Sequence, residues 1–220
     1  MRIHYLTIAT KPHPILENIK KKVIQNNEQI NILGQTEDRY IGWHAKGNFG
    51  LKIKLVQDYL MNNELNNDDL ILFTDAYDVI YYGDFSMIID RYCMFNKPIV
   101  FGSETTCSPD SRMIKYYTNL NHKFPFLNSG LYIGKVWALK ECLKDYEFND
   151  KHDDQLFWTK CYIQHPDKIE LDYNNHIFLN TYGVDIEEIN VNRTSIYYDG
   201  KNPIFLHVNG PDKSDLDKFL

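Results

Sequence analysis

The amino-acid sequence predicts an α/β fold in which helices cover a mostly parallel mixed sheet. Short apolar segments of strand length alternate with segments of helical periodicity along most of the 220 residues. Apolar residues make up 43% of the chain, a globular proportion that excludes wholesale disorder. We find neither an internal repeat nor a linker-like stretch. Residues 1–220 are therefore predicted to form one domain.

Five elements are predicted in the first third of the chain. Phe49, Ile53, Val56 and Leu60 recur at helical spacing, whereas the polar, glycine-containing stretch Gln35–Gly47 is predicted to be a loop. In chain order, the elements are the strand Ile3–Ala9, the helix Ile15–Asn26, the strand Gln29–Leu33, the helix Asn48–Asn62 and the strand Leu70–Phe73.

The same alternation continues after the fifth element. Thr105–Lys123 shows neither period and is predicted to be irregular, and Asn128-Ser129-Gly130 leads into the strand that follows it. The further elements are the helix Phe85–Phe95, the strand Pro98–Gly102, the strand Leu131–Gly134, the helix Val136–Tyr146, the helix Asp153–Tyr162 and the strand Pro203–Val208.

Charge and cysteine content exclude several classes of protein. With 24 basic and 30 acidic residues the net charge is −6, which is typical neither of a nucleic-acid coat nor of a polybasic membrane binder. No apolar run approaches the roughly 18 residues of a membrane span. The four cysteines form no C-x-x-C pair, which disfavours a zinc ribbon, and their positions fit buried apolar residues better than nucleophiles. Whether one disulfide forms is left open.

Two aspartates at the end of the clearest buried strand indicate a metal site. Asp75 and Asp78 follow Leu70–Phe73, and ligands of open α/β sheets bind at the C-terminal ends of strands. Carboxylates three positions apart in a tight turn can converge on one Mg²⁺ or Mn²⁺ ion, since both ions prefer oxygen ligands. The structural alternative is a helix N-cap in a solvated turn.

The segment His207–Lys213 follows the last predicted strand. A neutral imidazole at His207 can complete the metal's ligand shell. Gly210 allows the backbone to approach a phosphate closely, and Lys213 can neutralise diphosphate charge. The alternative is a strand-end turn with an exposed lysine.

Asp153 and Asp154 stand at the start of a predicted helix, where acidic residues complement the helix dipole. They are also candidates to face a sugar or an acceptor. His152-x-Asp154 resembles the first two ligands of a non-haem iron site, but the surrounding helical pattern disfavours that interpretation. The sequence contains no G-x-G-x-x-G, P-loop, G-x-S-x-G or H-E-x-x-H motif.

Together, these segments resemble the glycosyltransferase domain of the procollagen lysyl hydroxylases. The strongest likeness is the stretch Leu72–Ile80, L-F-T-D-A-Y-D-V-I. Further blocks follow in the family's order and cover nearly the whole chain: Ile8–Thr10, Gly102–Glu104 with Cys107, Phe126–Gly130, Asp153–Phe157 and His207–Pro211. Two departures concern the acceptor side more than the donor side. The acidic run before Asp153 is replaced by Asn149–His152, and Ser108 stands where relatives have an aromatic residue.

The resemblance implies a GT-A fold, a UDP-sugar donor and Mn²⁺. It implies transfer of glucose to galactosyl-hydroxylysine of collagen-like chains, with retention at the anomeric carbon. Front-face attack is the favoured route, and Asp154 is the candidate nucleophile for a double displacement. The alternatives are a non-catalytic GT-A-like module that binds sugar or collagen, and a hydroxylysine transferase that uses UDP-galactose.

The family's site residues are carried onto matching positions of this chain. By this resemblance the metal ligands are Asp75, Asp78 and His207, and Tyr77 stacks near the uracil. Thr10, Lys52, Asn209, Gly210 and Lys213 line the nucleotide and diphosphate, whereas Asn128, Asp153 and Asp154 face the sugar and acceptor.

No nucleic-acid partner is expected, and the oligomeric state is left open. The first ten residues are too short and polar for a signal peptide, although family relatives act in the endoplasmic reticulum lumen. The compartment is therefore left open, with a viral or host cytoplasm as one expectation.

Overall fold

A six-stranded mixed sheet forms the centre of the structure, a computed structural model that describes residues 1–42 and 47–220. Its strands in spatial order are β2 (Ile30–Leu33), β1 (Ile3–Ile8), β3 (Leu70–Asp75), β6 (Phe126–Lys135), β5 (Ile99–Glu104) and β7 (Ile169–Leu171). β6 runs antiparallel to both β3 and β5, and the other three pairings are parallel. The predicted mostly parallel mixed sheet is confirmed.

A three-stranded sheet lies beside the central one and supplies part of the site. Its middle strand is β11 (Phe205–His207), which pairs antiparallel with β4 (Val79–Tyr81) and parallel with β8 (Phe178–Asn180). Two very short strands, β9 (Asn190–Val191) and β10 (Ile196–Tyr197), form a separate hairpin.

Five α-helices in the described part of the chain cover the strands, and alternate strand residues face opposite cores. The helices are α1 (Pro14–Gln25), α2 (Gly50–Asn62), α3 (Phe85–Tyr92), α4 (Val136–Leu143) and α5 (Asp154–Gln164). Tyr5 belongs to one core, which also holds buried residues of α1, α3 and the three-stranded sheet. Its neighbour Leu6 belongs to the other core, with residues of α2, α4 and α5. This two-sided cover explains why the central strands are almost wholly buried.

The predicted elements all exist, with ends shifted by a few residues. Three differences matter for the site. Asp75 is the last residue of β3 rather than a residue beyond the strand. Asn128–Gly130 lie inside β6, where Asn128 pairs with Gly102 of β5 and the next two residues fall in a shift of register. The segment predicted to be irregular contains a short 3-10 helix, Ser111–Tyr116. Residues 43–46 of the predicted loop, which include His44, lie outside the described residues.

Strands β4, β7, β8, β9 and β10 were not predicted. Each has only two or three residues, too few to show a period of two.

All four cysteine thiols are free. Cys107 and Cys161 are buried as the sequence predicts, whereas Cys93 is exposed and Cys142 is half-buried. Within residues 1–42 and 47–220, no helix has both the length and the apolar character needed to cross a membrane.

Candidate active site

Three potential metal ligands converge where β3 and β11 end. Asp75 closes β3, Asp78 follows in the turn before β4, and His207 closes β11. Their ligand atoms all lie within 4.8 Å of one another. His207 Nε2 is 3.4 Å from Asp78 Oδ1 and 3.9 Å from Asp75 Oδ2. Among the described residues, this is the only group of three or more such side chains close enough to share an ion.

Asn180 fixes the orientation of the His207 ring. The two residues are register partners on the parallel strands β8 and β11, so their side chains lie on the same face. Asn180 Nδ2 donates to the Ser103 carbonyl at 3.0 Å, which leaves Asn180 Oδ1 as an acceptor 2.8 Å from His207 Nδ1. His207 Nδ1 therefore carries the proton, and the Nε2 lone pair points at the two carboxylates. A hydrogen bond of this kind is the usual support of a metal-binding histidine.

Gly130 leaves the space in which the ligands meet. A Cβ atom at this position would lie 2.5 Å from His207 Cε1 and 2.8 Å from Asp75 Oδ2. Any side chain on β6 here would displace the imidazole or the carboxylate. Two carboxylates, one imidazole and this open space fit a hard divalent cation.

Lys52 joins the metal-ligand group to α5. Its Nζ lies 2.6 Å from Asp75 Oδ1 and 2.9 Å from Asp154 Oδ2, and Ser129 Oγ donates to the same Asp154 oxygen at 3.0 Å. Burial favours the neutral amine, but the two carboxylates outweigh it and raise the pKa of Lys52. The ammonium is therefore held between Asp75 and Asp154.

The residues after β11 form a second cationic contact. Lys213 Nζ donates to Asp78 Oδ2 and to the Val208 carbonyl, both at 2.6 Å. Burial disfavours the charged form of Asp78, yet His207 and Lys213 lower the pKa of this carboxyl. Burial and the charge of Asp78 raise the pKa of Asp75, although Lys52 opposes them. Repulsion between two such carboxylates is what a bound cation relieves.

Gly210 has a reason to be glycine that the sequence did not reveal. Its φ is +87°, in the left-handed region, and a Cβ atom would lie 2.5 Å from the Tyr182 ring. The turn after β11 is therefore packed tightly against Tyr182.

Glu104 ties together three segments that surround the site. Its Oε1 accepts from Asn128 Nδ2 at 3.2 Å and from Gln155 Nε2 at 2.5 Å, and its Oε2 accepts from Asn209 Nδ2 at 2.8 Å. Burial raises the pKa of Glu104 to about 7, even though the amide donors lower it. One carboxyl thus positions β6, α5 and the turn after β11.

A cavity of about 410 Å³ brings most of the predicted site residues together. This volume suits a nucleotide-sized or sugar-sized ligand. The predicted residues that line it are Lys52, Asp75, Asp78, Asn128, Asp153, Asp154, His207, Asn209, Gly210 and Lys213.

Thr10, which follows β1, and Tyr77, in the turn after β3, are not among the residues that line this cavity. The Tyr77 hydroxyl accepts from the backbone N–H groups of Thr10 and Lys11 at 3.0 and 3.1 Å. The Tyr77 ring stacks at 6.4 Å on Tyr40 and lies 5.0 Å from His13. Because β1 pairs with β3, this aromatic cluster borders the ligand group at Asp75.

Asp153 has a structural role in addition to lining the cavity. Its Oδ1 accepts from the Leu156 N–H at 2.8 Å, so it is the N-cap of α5. The structural alternative considered for this pair therefore applies to Asp153. Asp154, the first residue of the helix, is buried against Lys52.

Sequence reasoning missed three residues of the site. Asn180 was missed because its strand was not predicted, and a lone asparagine after an apolar segment carries no signal. Glu104 and Gly130 lie inside recognised blocks but were given no role, because their partners are distant in sequence. A glycine inside an otherwise apolar strand is the one signal available, since it marks a close approach of other atoms.

Comparisons with known proteins agree with this arrangement. The family model described as "PLOD GT domain" matches residues 1–220. "Multifunctional procollagen lysine hydroxylase and glycosyltransferase" of Caenorhabditis elegans is 30% identical over 224 residues, covering 96% of this chain and 31% of that protein. "Procollagen-lysine,2-oxoglutarate 5-dioxygenase 1" of Bos taurus is 31% identical over 222 residues, covering 96% of this chain and 30% of that protein. The chain therefore spans less than a third of the length of these relatives.

One solved structure shares the fold over nearly the entire chain. It is described as a "glycosyltransferase involved in the glycosylation of the major capsid of PBCV-1", with a TM-score of 0.54 and 8% identity. The superposition covers 99% of this chain and 98% of the other. At this identity the likeness shows the fold alone, which is that of the GT-A glycosyltransferases. The match of the family model over all 220 residues shows that the chain belongs to the PLOD glycosyltransferase-domain family.

Proposed function

We propose that this chain is a divalent-metal-dependent, retaining glycosyltransferase that moves glucose from UDP-glucose to galactosyl-hydroxylysine of a collagen-like chain. The observation that carries the proposal is the convergence of Asp75, Asp78 and His207 in a cavity that two lysines flank. Family membership supports the sugar chemistry, and the names of the longer relatives suggest the collagen-type acceptor.

The ion would be held by Asp75, Asp78 and His207, and the resemblance to the family implies that it is Mn²⁺. When bound, such an ion offsets the negative charge that develops on a departing diphosphate. Lys213 lies beside Asp78 and would add a second positive charge at the same place. The Asn180 contact would keep His207 ready to bind without reorganisation.

The β1 end of the site would take the nucleoside. Thr10 Oγ1 is buried and has no hydrogen-bond partner among the described residues, an arrangement that costs free energy unless a ligand supplies the partner. The neighbouring Tyr77 ring forms an aromatic cluster with Tyr40 and His13, and aromatic rings are side chains that stack on bases. Both observations support a uridine on this side of Asp75.

Asp154 is better suited to positioning than to nucleophilic attack. Its Oδ2 already accepts from Lys52 and Ser129, and such contacts reduce the nucleophilicity of a carboxylate. The front-face route, in which the departing phosphate oxygen takes the acceptor's proton, requires no protein nucleophile. Asp154 and Asn128 would then face the sugar.

A non-catalytic sugar-binding module is the competing proposal. A domain without catalytic activity would not need two carboxylates, an oriented imidazole and an aligned lysine in the same site. The complete ligand group therefore favours catalysis.

The test is release of UDP from a panel of UDP-sugars, with Mn²⁺ or with a chelator, and with or without a galactosyl-hydroxylysine peptide. Wild type should release UDP fastest from UDP-glucose with both Mn²⁺ and peptide. Asp78→Asn should reduce turnover by about 100-fold or more. The matched control is Asp90→Asn on the exposed face of α3, which should leave turnover unchanged. Turnover that is insensitive to the chelator, or equal in the two variants, would contradict the proposal.

A further inference from the structure

Tyr182 is an aromatic residue of the active-site cavity to which the proposed function gives no role. It lines the cavity, and 44% of its surface is exposed. Its backbone makes its hydrogen bonds, and within the described part of the chain its hydroxyl has no partner. Ligand cavities use aromatic side chains of this kind as contact surfaces.

The position of Tyr182 is fixed although its side chain is exposed. Its N–H donates to Asn209 Oδ1 at 2.8 Å, and its carbonyl accepts from Thr105 Oγ1 at 2.8 Å. The ring lies against Gly210, where a Cβ atom would approach it to 2.5 Å. A ring that is already held in place loses little conformational entropy when a ligand binds to it.

The order of the small sheet places Tyr182 on the opposite side of His207 from Tyr77. β11 is the middle strand, with β4 on one side and β8 on the other. His207 pairs with Val79 at the start of β4 and with Asn180 at the end of β8. Tyr77 precedes β4, and Tyr182 follows β8. Because the nucleoside is proposed to bind on the Tyr77 side, Tyr182 borders the end of the cavity that is left for the sugars.

The front-face route decides which sugar would meet this ring. In that route the acceptor hydroxyl approaches the departing phosphate oxygen, so the acceptor lies beside the diphosphate and not behind the donor sugar. Tyr182 packs against Gly210, in the turn that is proposed to line the diphosphate. The donor sugar would instead face Asn128 and Asp154. Tyr182 therefore borders the space that the acceptor would enter.

We infer that Tyr182 is the surface on which the galactose unit of the acceptor stacks, so that it selects galactosyl-hydroxylysine over bare hydroxylysine. The axial hydroxyl of galactose leaves several C–H groups together on the opposite face of the sugar. Such polarised C–H groups are attracted to the negative face of an aromatic ring. The contact uses the ring and not the phenol hydroxyl. The inference rests on the proposed function for the identity of the acceptor.

The kinetic test measures UDP release from UDP-glucose with Mn²⁺ while the concentration of a galactosyl-hydroxylysine peptide is varied. Tyr182→Ala should raise the KM for the peptide by about 10-fold or more, whereas the KM for UDP-glucose should change by less than about two-fold. Tyr182→Phe should restore the wild-type KM for the peptide, because the ring is still present. Circular dichroism checks that both variants fold.

The matched control is Tyr197→Ala. Tyr197 lies on β10, is 49% exposed and is not among the residues that line the cavity, so its loss should change neither KM. If Tyr182→Ala raises both KM values equally, the ring only supports the turn at Gly210, and the inference is wrong. A peptide KM that is raised as much by Tyr182→Phe as by Tyr182→Ala would also overturn it.

Binding of methyl β-galactoside tests the inference without turnover. Saturation-transfer difference NMR should detect contact of this sugar with wild type and with Tyr182→Phe, and the signal should be lost with Tyr182→Ala. If that result is found but wild type releases no UDP with the peptide, the proposed function fails and the sugar contact at Tyr182 stands. An undiminished signal with Tyr182→Ala, or no signal with wild type, would overturn the inference even if sugar transfer occurs.

Discussion

Gly130 shows how the absence of a single carbon atom permits a site. The imidazole of His207 and the carboxylate of Asp75 occupy the volume that a Cβ atom on β6 would fill. Because His207 is tied to Asn180 and Asp75 to Lys52, neither can move without losing a buried polar contact. We expect the position to tolerate no side chain.

Gly130→Ala should therefore weaken metal binding with only a moderate loss of stability. Overpacking of this kind costs about 1–3 kcal/mol. Calorimetric titration with Mn²⁺ in the presence of UDP should show affinity lowered by about 10-fold or more. The control is Gly134→Ala on the same strand, where a Cβ atom would meet only Ile99 carbons at 3.0–3.3 Å. If Gly134→Ala weakens metal binding to the same degree, general strain in β6 is the cause.

Glu104 is a buried carboxyl whose neighbours on both oxygens are amide donors. That pattern suits the ionised form, whereas burial opposes it, and the outcome is a pKa of about 7. The folded protein therefore keeps a proton on Glu104 that the unfolded chain releases near its ordinary pKa of 4.5. The contribution of Glu104 to stability is largest below pH 4.5 and falls as the pH rises to about 7, by about 3 kcal/mol.

Glu104→Gln should remove this pH dependence. The free energy of unfolding, measured by urea denaturation, should be compared between wild type and variant at intervals from about pH 5 to about pH 8. The value for wild type minus that for the variant should decline across this range. A difference that stays constant with pH would mean that Glu104 does not titrate there.

At the scale of elements, α5 carries out two tasks at its first turn. Asp153 caps the helix, and Asp154 holds Lys52. Adjacent carboxylates at a helix start thus have different roles, because one side chain folds back on the N–H groups and the next points to Lys52.

Replacing Asp153 by serine or by alanine separates its role as helix N-cap from a role in binding the acceptor. Serine can accept the Leu156 N–H bond and should retain stability, whereas Asp153→Ala should cost about 1 kcal/mol. Thermal and urea denaturation measure this difference. If the carboxylate also contacts the acceptor, both variants should lose sugar transfer equally while donor hydrolysis persists. Equal destabilisation by serine and alanine would show that the cap contributes nothing.

Over the whole molecule, ligands for the proposed ion come from the central sheet and from the smaller sheet beside it. Asp75 belongs to β3, and His207 belongs to β11. The site therefore depends on how the two sheets pack, and a ligand that bridges them should stabilise the entire fold.

Mn²⁺ and UDP together should raise the melting temperature by more than the sum of their separate effects. Each would supply part of the other's binding site, so their binding free energies should be coupled. Scanning fluorimetry with Mn²⁺, with UDP and with both measures the shifts. Gly130→Ala should lose the extra shift, and Gly134→Ala should keep it. Purely additive shifts in wild type would contradict a shared site.

The amino-acid sequence was enough to predict the α/β alternation, a site at the end of β3, and Asp75, Asp78 and His207 as candidate metal ligands. These follow from local signals, because apolar periodicity and a motif at a strand end need no distant partner. The roles of Glu104, Gly130 and Asn180 became visible only in the folded structure. Each depends on atoms brought together from remote parts of the chain, such as the Glu104–Asn209 contact between residues 105 positions apart. No local pattern records such contacts, because strand pairing and packing between sheets create them.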